Sequence, residues 1–302
     1  MSAPFALALL HLDGVGRVAA HRLLERFGTY EALRAAPREQ VRLRLKGVPG
    51  ADAVTARLFD DGLMADALAR ARAEAEALAG RGVALLAPGM PGWPPGLTDL
   101  GRGTRPVLLY AFGNTALLGR PTLAVLGRPP LPPESFEHAQ LAARHVWARG
   151  GVVATGARHG LDLALIKLGT AAGGGVVAVV EAGLARLTPS MRPGATALVR
   201  AGGLLVSPFA MTHGPFAHDD RERAAVQVAL ARAALAVAPE AGTPEDRAMA
   251  FGAEAGRALF VLLPAPPDAP WTARAQALTT APDLTAPARA LGEAPAPAPG
   301  DA

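Results

Sequence analysis

No cysteine occurs among the 302 residues, which excludes a disulfide framework and any Cys-based zinc site and suits a reducing compartment. Lysine is almost missing: Lys46 and Lys167 stand alone, and arginine supplies the rest of the positive charge. Aromatic residues make up 5% of the chain, so binding that rests on rings stacked against bases has little to draw on. No apolar run reaches the roughly 18 residues of a membrane span. The N-terminal stretch from Phe5 to Leu12 has no basic residues ahead of it and runs into Asp13-Gly14, unlike a secretory signal. A soluble, cytoplasmic protein without membrane association is expected. The sequence also lacks the G-x-G-x-x-G fingerprint and the Walker A lysine motif, which weakens dinucleotide and ATP readings.

Half of the residues are hydrophobic, enough over this length to form one large domain and a smaller one. The formal charge of +4 suits a polyanionic partner, and is equally what a GC-rich, arginine-favouring coding sequence produces. From Ala6 to about Ala79, Leu and Ala recur at three- and four-residue spacing between short glycine turns, which predicts short helices. Gly14-Val15-Gly16 and Gly47-Val48-Pro49-Gly50 separate helical segments in the manner of tandem helix-hairpin-helix turns. In such turns glycine lets the backbone fold back, and the amides that open the next helix can face a phosphate. Gly14, Gly16, Arg17, Lys46 and Gly47 are therefore secondary candidates for DNA contact, the alternative being a domain of this type that binds protein or nothing.

After Gly82 comes a Pro- and Gly-rich connector with a short apolar strand in it. Beyond Pro121 the chain shows apolar runs spaced by helix-like segments: Leu123 to Leu126, Val152 to Ala154, Val176 to Val180, Leu204 to Val206, Ala234 to Ala238 and Leu259 to Leu263. Runs without in-out alternation suit strands covered on both faces, hence an α/β domain with a mostly parallel sheet and crossover helices. Ser135 and the run Thr243-Pro244-Glu245-Asp246 mark helix starts. The expected domains are a helical one over 1–80, the α/β one over 81–265, and a Pro/Ala-rich, largely disordered tail over 266–302.

In an open parallel sheet, ligands bind beyond the carboxyl ends of the strands. Four turns qualify: 126–130 with Arg128, 155–162 with Arg158, His159 and the amides of Gly156 and Gly160, 181–190 with Arg186, and 239–246. Segment 214–226 adds Arg221 and Arg223. Guanidinium forks and helix N-termini together suit phosphate. Asp162 is expected to cap or orient its turn. His213 and His218 beside Asp219 and Asp220 imitate a metal cluster, but a single flexible loop supplies no fixed geometry, so neither a metal nor another cofactor is expected. Spacing supports no Ser/His/Asp triad and no catalytic residue.

Taken in order, these motifs resemble the DprA/Smf family, bacterial DNA-processing proteins of natural transformation. "LDGVGRVAAHRLLERFGTYEAL" looks like the family's helical opening, and "PGWPPGLTDLGRGTRPVLLYAFGN" like its approach to the sheet. "LAVLGR", "TGARHGLD", "VVAVVEAGLARLTPS", "GGLLVSP" and "AEAGRALFVLLP" then match its successive strand motifs, over about residues 6 to 265. The resemblance implies an extended Rossmann-like domain behind a small SAM-like helical domain, single-stranded DNA held in a basic pocket without catalysis, a homodimer, and assistance in loading a RecA-type recombinase. By position it points to Arg128, Thr155, Gly156, Gly160 and Asp162, with Arg221 or Arg223 in place of the family's Arg-Asn-Arg; Arg158, His159 and Lys167 complete the expected DNA-binding set.

The chain departs from the family pattern in several places. The Arg-Asn-Arg motif reads Arg221-Glu222-Arg223 or Asp219-Asp220-Arg221, either of which puts negative charge where DNA would lie. Ile166, followed by Lys167, replaces a family histidine, and no counterpart of the C-terminal winged helix is expected. Two alternatives stay open: a paralogue that serves as a protein-interaction scaffold without DNA, and a nucleotide phosphoribohydrolase, whose glycine motif is echoed by Gly242-Thr243 near Glu245.

Overall fold

A computed structural model describes residues 2–158, 160–262 and 268–292. They divide into two compact units, Met1–Trp93 with Gly101–Ala111, and Pro94–Leu100 with Phe112–Ala302. The boundary therefore falls beyond the expected residue 80, and the Pro- and Gly-rich connector is divided between the two units.

The first unit contains helices α1 (Ala3–His11), α2 (Arg17–Phe27), α3 (Tyr30–Ala35), α4 (Arg38–Arg44), α5 (Ala51–Leu58) and α6 (Asp61–Ala79), then strand β1 (Val83–Leu86). Local chemistry sets several ends. Thr29 accepts the Ala32 N–H to start α3, and Asp60 accepts the Leu63 N–H to start α6. The two glycine turns do separate helices, α1 from α2 and α4 from α5. Strand β2 (Leu109–Gly113) runs across the boundary.

The second unit alternates strands and helices: β3 (Thr122–Gly127), α7 (Pro133–Ala148), β4 (Val152–Thr155), α8 (Leu161–Ala172), β5 (Gly175–Val179), α9 (Arg192–Arg200), β6 (Leu204–Ser207), α10 (Asp219–Ala229), β7 (Ala233–Val237), α11 (Pro244–Glu254), β8 (Ala258–Leu262), β9 (Ala275–Ala277) and α12 (Ala286–Ala290). The strands pair in the order β6-β5-β4-β3-β7-β8-β9, all parallel. Both faces are covered, which is why the runs are continuously apolar. Along β3, Leu123 and Val125 pack with Ala139, Ala142 and Val146 of α7, while Ala124 and Leu126 pack with Ala224 and Val228 of α10 and Met249 of α11. The chain moves outward from β3 through β6 and then returns to place β7 on the other side of β3, so the order reverses between β3 and β7. At such a switch point adjacent loops leave the carboxyl ends in opposite directions and open a crevice.

Two expectations are corrected. Helix α7 starts at Pro133, not Ser135, because Pro132-Pro133 supplies a proline in the first turn and Ser135 falls inside it. Residues 268–292 are not a disordered tail. They contribute β9, which pairs with β8 from Leu259↔Ala275 to Val261↔Ala277, and they bury Trp271, Leu278, Leu284 and Leu291. The Trp271 indole N–H donates to Asp246 at 2.7 Å, and Thr280 with Asp283 closes a capping box. The rest of that expected tail lies outside the described residues. Among the described residues, no helix is long and apolar enough to cross a membrane.

Candidate nucleic-acid interface

The turn over 155–162 links β4 to α8 at the carboxyl edge of the sheet. Asp162, in the first turn of α8 and 2% exposed, organises it: its carboxylate accepts the Thr155 hydroxyl at 3.0 Å and the Arg158 backbone N–H at 3.2 Å. Both glycines are required by close approach. A Cβ on Gly156 would run into the Asp162 carboxylate and stand 3.0 Å from Arg223 Nη1, and one on Gly160 would lie 2.7 Å from the Pro129 ring. Gly160 also has φ of +75°, a region open to glycine and strained for other residues. Thr155, Gly156, Gly160 and Asp162 thus form one compact turn packed against the 126–130 turn.

Arg158 of the turn itself meets Arg128, from the turn after β3, and Arg223, from α10. Arg158 pairs with Asp220 at 2.7 Å, Glu245 at 2.8 Å and Asp162 at 3.4 Å. Arg128 pairs with Glu245 at 3.2 Å and with Asp220. Arg223 is 1% exposed and meets Asp220 at 2.9 Å, Glu245 at 3.6 Å and the Gln227 side-chain carbonyl. Gln227 in turn donates to the Val125 carbonyl at 2.7 Å and the Ala154 carbonyl at 3.0 Å, so β3 and β4 hold it and it holds Arg223. Burial works against the charge on Arg158, but the Asp162, Asp220 and Glu245 carboxylates outweigh it and raise its pKa. Burial would likewise raise Asp220, yet the Arg223 and Arg158 charges and their hydrogen bonds bring it below its ordinary value. Glu181, after β5, is pushed up, first by burial and then by the Asp220 charge.

The charges in this cluster balance: Arg128, Arg158 and Arg223 against Asp162, Asp220 and Glu245. Of the acids expected near this position, Asp220 enters the cluster, and with Glu245 it occupies guanidinium faces that a phosphate would need. Beside the cluster, at the β3–β7 switch point, is a cavity of about 110 Å³ lined by Arg128, Pro130, Ala238, Thr243 and Glu245, among others. Ala238, just past β7, has φ of +44°, a conformation that costs a non-glycine residue about 1 kcal/mol or more. A space of this size takes a phosphate group or a few waters and falls below the roughly 300 Å³ of ordinary ligand pockets.

The remaining expected residues separate from the cluster. Arg221 and Lys167 are exposed, on α10 and α8, and no ion pair joins either to a described residue. His159 lies outside the described residues. Ile166 is buried in the core formed with Val176 and Leu198, so the side chain at the family's histidine position faces away from solvent. His213 and His218 both approach Asp219, at 3.0 and 3.4 Å, but no group of metal-ligating side chains occurs among the described residues. Thr243 does cap α11, accepting the Asp246 N–H at 3.3 Å, and Glu245 is taken up by the arginines. Glu181 opens the 181–190 turn, one of the four expected at this edge, although Arg186 is the residue singled out there. Gln227 stands one residue beyond the 214–226 segment and belongs to no motif.

In the first unit the glycine turns are braced by arginines. Arg57 Nη1 donates to the Asp13 carbonyl at 3.0 Å and Arg22 Nη1 to the Lys46 carbonyl at 2.6 Å. Arg17 donates to the Gly103 and Thr104 carbonyls at 3.1 and 3.3 Å, and the Lys46 side chain is exposed. Gly14 and Gly47 have φ of +81° and +80°, and Gly16 precedes the first residue of α2.

Two solved structures share this fold. The chain is similar to DNA processing protein A from Streptococcus pneumoniae, with 17% identity and a TM-score of 0.72 over 95% of this chain and 98% of that one. It is also similar to DNA processing protein A from Helicobacter pylori, a structure described for its single-stranded DNA binding mode, with 18% identity and a TM-score of 0.56 over 68% of this chain and 94% of that one. No curated protein matches the chain. The family described as DNA recombination-mediator protein A matches residues 84–281, about two thirds of the sequence, and the chain belongs to that family.

Proposed function

We propose that this protein binds single-stranded DNA without catalysis, along the carboxyl-edge crevice between the 126–130 and 155–162 turns, and acts as a homodimer that helps load a RecA-type recombinase. The observation that carries the reading is the convergence of Arg128, Arg158 and Arg223 on a glycine turn that opens α8, in a member of a DNA recombination-mediator family. Amides at a helix start and planar guanidinium groups together suit a phosphodiester. In this reading the strand displaces Asp220 and Glu245 from part of their arginine contacts, so the gain per phosphate is modest. Sequence preference is slight, because no base-reading side chain is fixed in the turn.

Fluorescence anisotropy of a labelled single strand against the matching duplex, at low and near-physiological salt, tests the reading with the wild type and Arg158→Ala. Salt-sensitive binding that favours the single strand and weakens in the variant supports it. The balanced charges of the cluster favour a second reading, a protein-interaction scaffold that keeps the fold and has lost the ligand. Sound folding and self-association with no binding at low salt selects that alternative.

A further inference from the structure

The loop between β6 and α10 carries a run of stacked rings beside the arginine cluster. Phe209 and His213 lie parallel with centroids 4.6 Å apart, His213 meets Phe216 edge-on at 5.1 Å, and Phe216 and His218 are parallel at 5.8 Å. The run leads from the core to solvent. Phe209 is 4% exposed and Phe216 is 56% exposed, the one aromatic among the large exposed hydrophobic side chains of the described residues. The outermost ring, His218, is 79% exposed.

These rings are held in place. The Asp219 carboxylate, 1% exposed, accepts the Phe216 backbone N–H at 2.8 Å and pairs with His213 at 3.0 Å and His218 at 3.4 Å. The loop backbone is tied to the turn after β5 through Gly183 N–H to the His213 carbonyl at 2.9 Å, Ala185 N–H to the Met211 carbonyl at 3.0 Å and Arg186 Nε to the Thr212 carbonyl at 3.1 Å. An exposed phenyl ring gains free energy when something covers it and removes it from water, and fixing it in advance lowers the ordering cost of binding. What covers it is indicated by its neighbours. Asp220, next in sequence to the Asp219 anchor, sits in the arginine cluster, and the exposed Arg221 follows. Flat apolar rings beside cations match a nucleotide unit, with the base on the ring and the phosphate on the cation.

We infer that Phe216, stacked with His218 and met edge-on by His213, is a nucleobase-stacking platform, and that bases contribute more to strand binding here than phosphates do. The inference rests on the single-stranded-DNA reading above and adds the group that binds. It follows from the cluster's balance: with three guanidinium groups engaged by three carboxylates, a strand gains more from an open ring than from displacing those ion pairs.

The test compares a labelled oligothymidylate with an abasic strand of equal length, on wild type, Phe216→Ala and Phe216→Trp. Wild type is expected to bind the thymidylate strand well above the abasic one. Phe216→Ala lowers thymidylate affinity by about 5- to 150-fold, the equivalent of roughly 1 to 3 kcal/mol of base stacking, and leaves the abasic strand nearly unchanged. Phe216→Trp keeps or improves binding. A strand carrying 2-aminopurine reports the stack directly on wild type, as quenched emission on binding that Phe216→Ala loses. Equal thymidylate affinity for wild type and Phe216→Ala overturns the platform and leaves the DNA reading standing. Absence of binding by wild type to any strand overturns both.

Discussion

The Asp220 carboxylate touches all three arginines of the crevice, so Asp220→Asn is the perturbation that most alters the site's charge with the least change in shape. A phosphate seated on Arg158 would lie about 6 Å from that carboxylate, and at an effective dielectric of about 20 the repulsion is roughly 3 kcal/mol. Screening over a Debye length of about 10 Å at 0.1 M salt roughly halves it, leaving about 1.5 kcal/mol, or close to tenfold in affinity. One further phosphate contact steepens the logarithmic salt slope by about 0.7 for a single strand. Asparagine keeps an acceptor for Arg223, and Asp162 and Glu245 still neutralise part of the cluster, so the cost in stability is about 1 to 3 kcal/mol. The sign of the pH effect is fixed: a carboxyl whose pKa is lower in the folded state stabilises the fold above its unfolded value and loses that contribution as pH falls through the folded one. The pKa of Asp220 is lowered from 3.8, so wild type loses this part of its stability at acid pH and the variant has none to lose. Anisotropy titrations at several salt concentrations, with thermal melts at neutral and acid pH as the stability readout, check these four effects. Affinity no higher than wild type with an unchanged salt slope would refute the electrostatic reasoning.

Three further outcomes follow from the packing and the charges. Gly156→Ala forces a methyl group into the Asp162 carboxylate and against Arg223, neither of which can withdraw, and is expected to cost about 1 to 3 kcal/mol by denaturant melting. Glu181→Gln removes an acid whose pKa burial and then Asp220 raise; such a group stabilises below its unfolded value and loses that contribution as pH rises through the folded one. The variant should therefore melt higher than wild type at neutral pH, with the gain vanishing toward pH 4, about the ordinary carboxylate value. Trp271→Ala empties a buried site and frees Asp246, and is expected to cost about 3 to 5 kcal/mol, whereas a dispensable tail would lose nothing.

The strand positions were legible because each of the six apolar runs is covered on both faces, which leaves an unbroken Val, Ala and Leu signal. The turn at 155–162 was legible for a related reason: two glycines and an acid at a strand-to-helix junction admit few geometries. Ser135 is a preferred cap residue, but Pro132-Pro133 just ahead of it sets the start of α7. Residues 268–292 were hidden by their proline and alanine content, although Thr280 and Asp283 already had capping-box spacing and Trp271 had no reason to sit in a solvated tail. Acidic residues near Arg221 were legible, but the part of Glu245 in neutralising the cluster was beyond local reading, since it stands 117 residues from Arg128 and 87 from Arg158. Those ion pairs exist only once the sheet brings β3, β4 and β7 side by side. Low overall aromatic content hides the ring run, which exists only once the loop folds Phe209, His213, Phe216 and His218 against one another.

Hydrogen exchange with and without a saturating single strand tests the central claim most directly, because it reports where the strand lies whatever group binds it. Added protection confined to the turns at 126–130 and 155–158 and to the segment 211–223 is the predicted result. Protection that appears only within 1–93, or nowhere despite measured binding, would contradict a strand site at the carboxyl edge of this sheet.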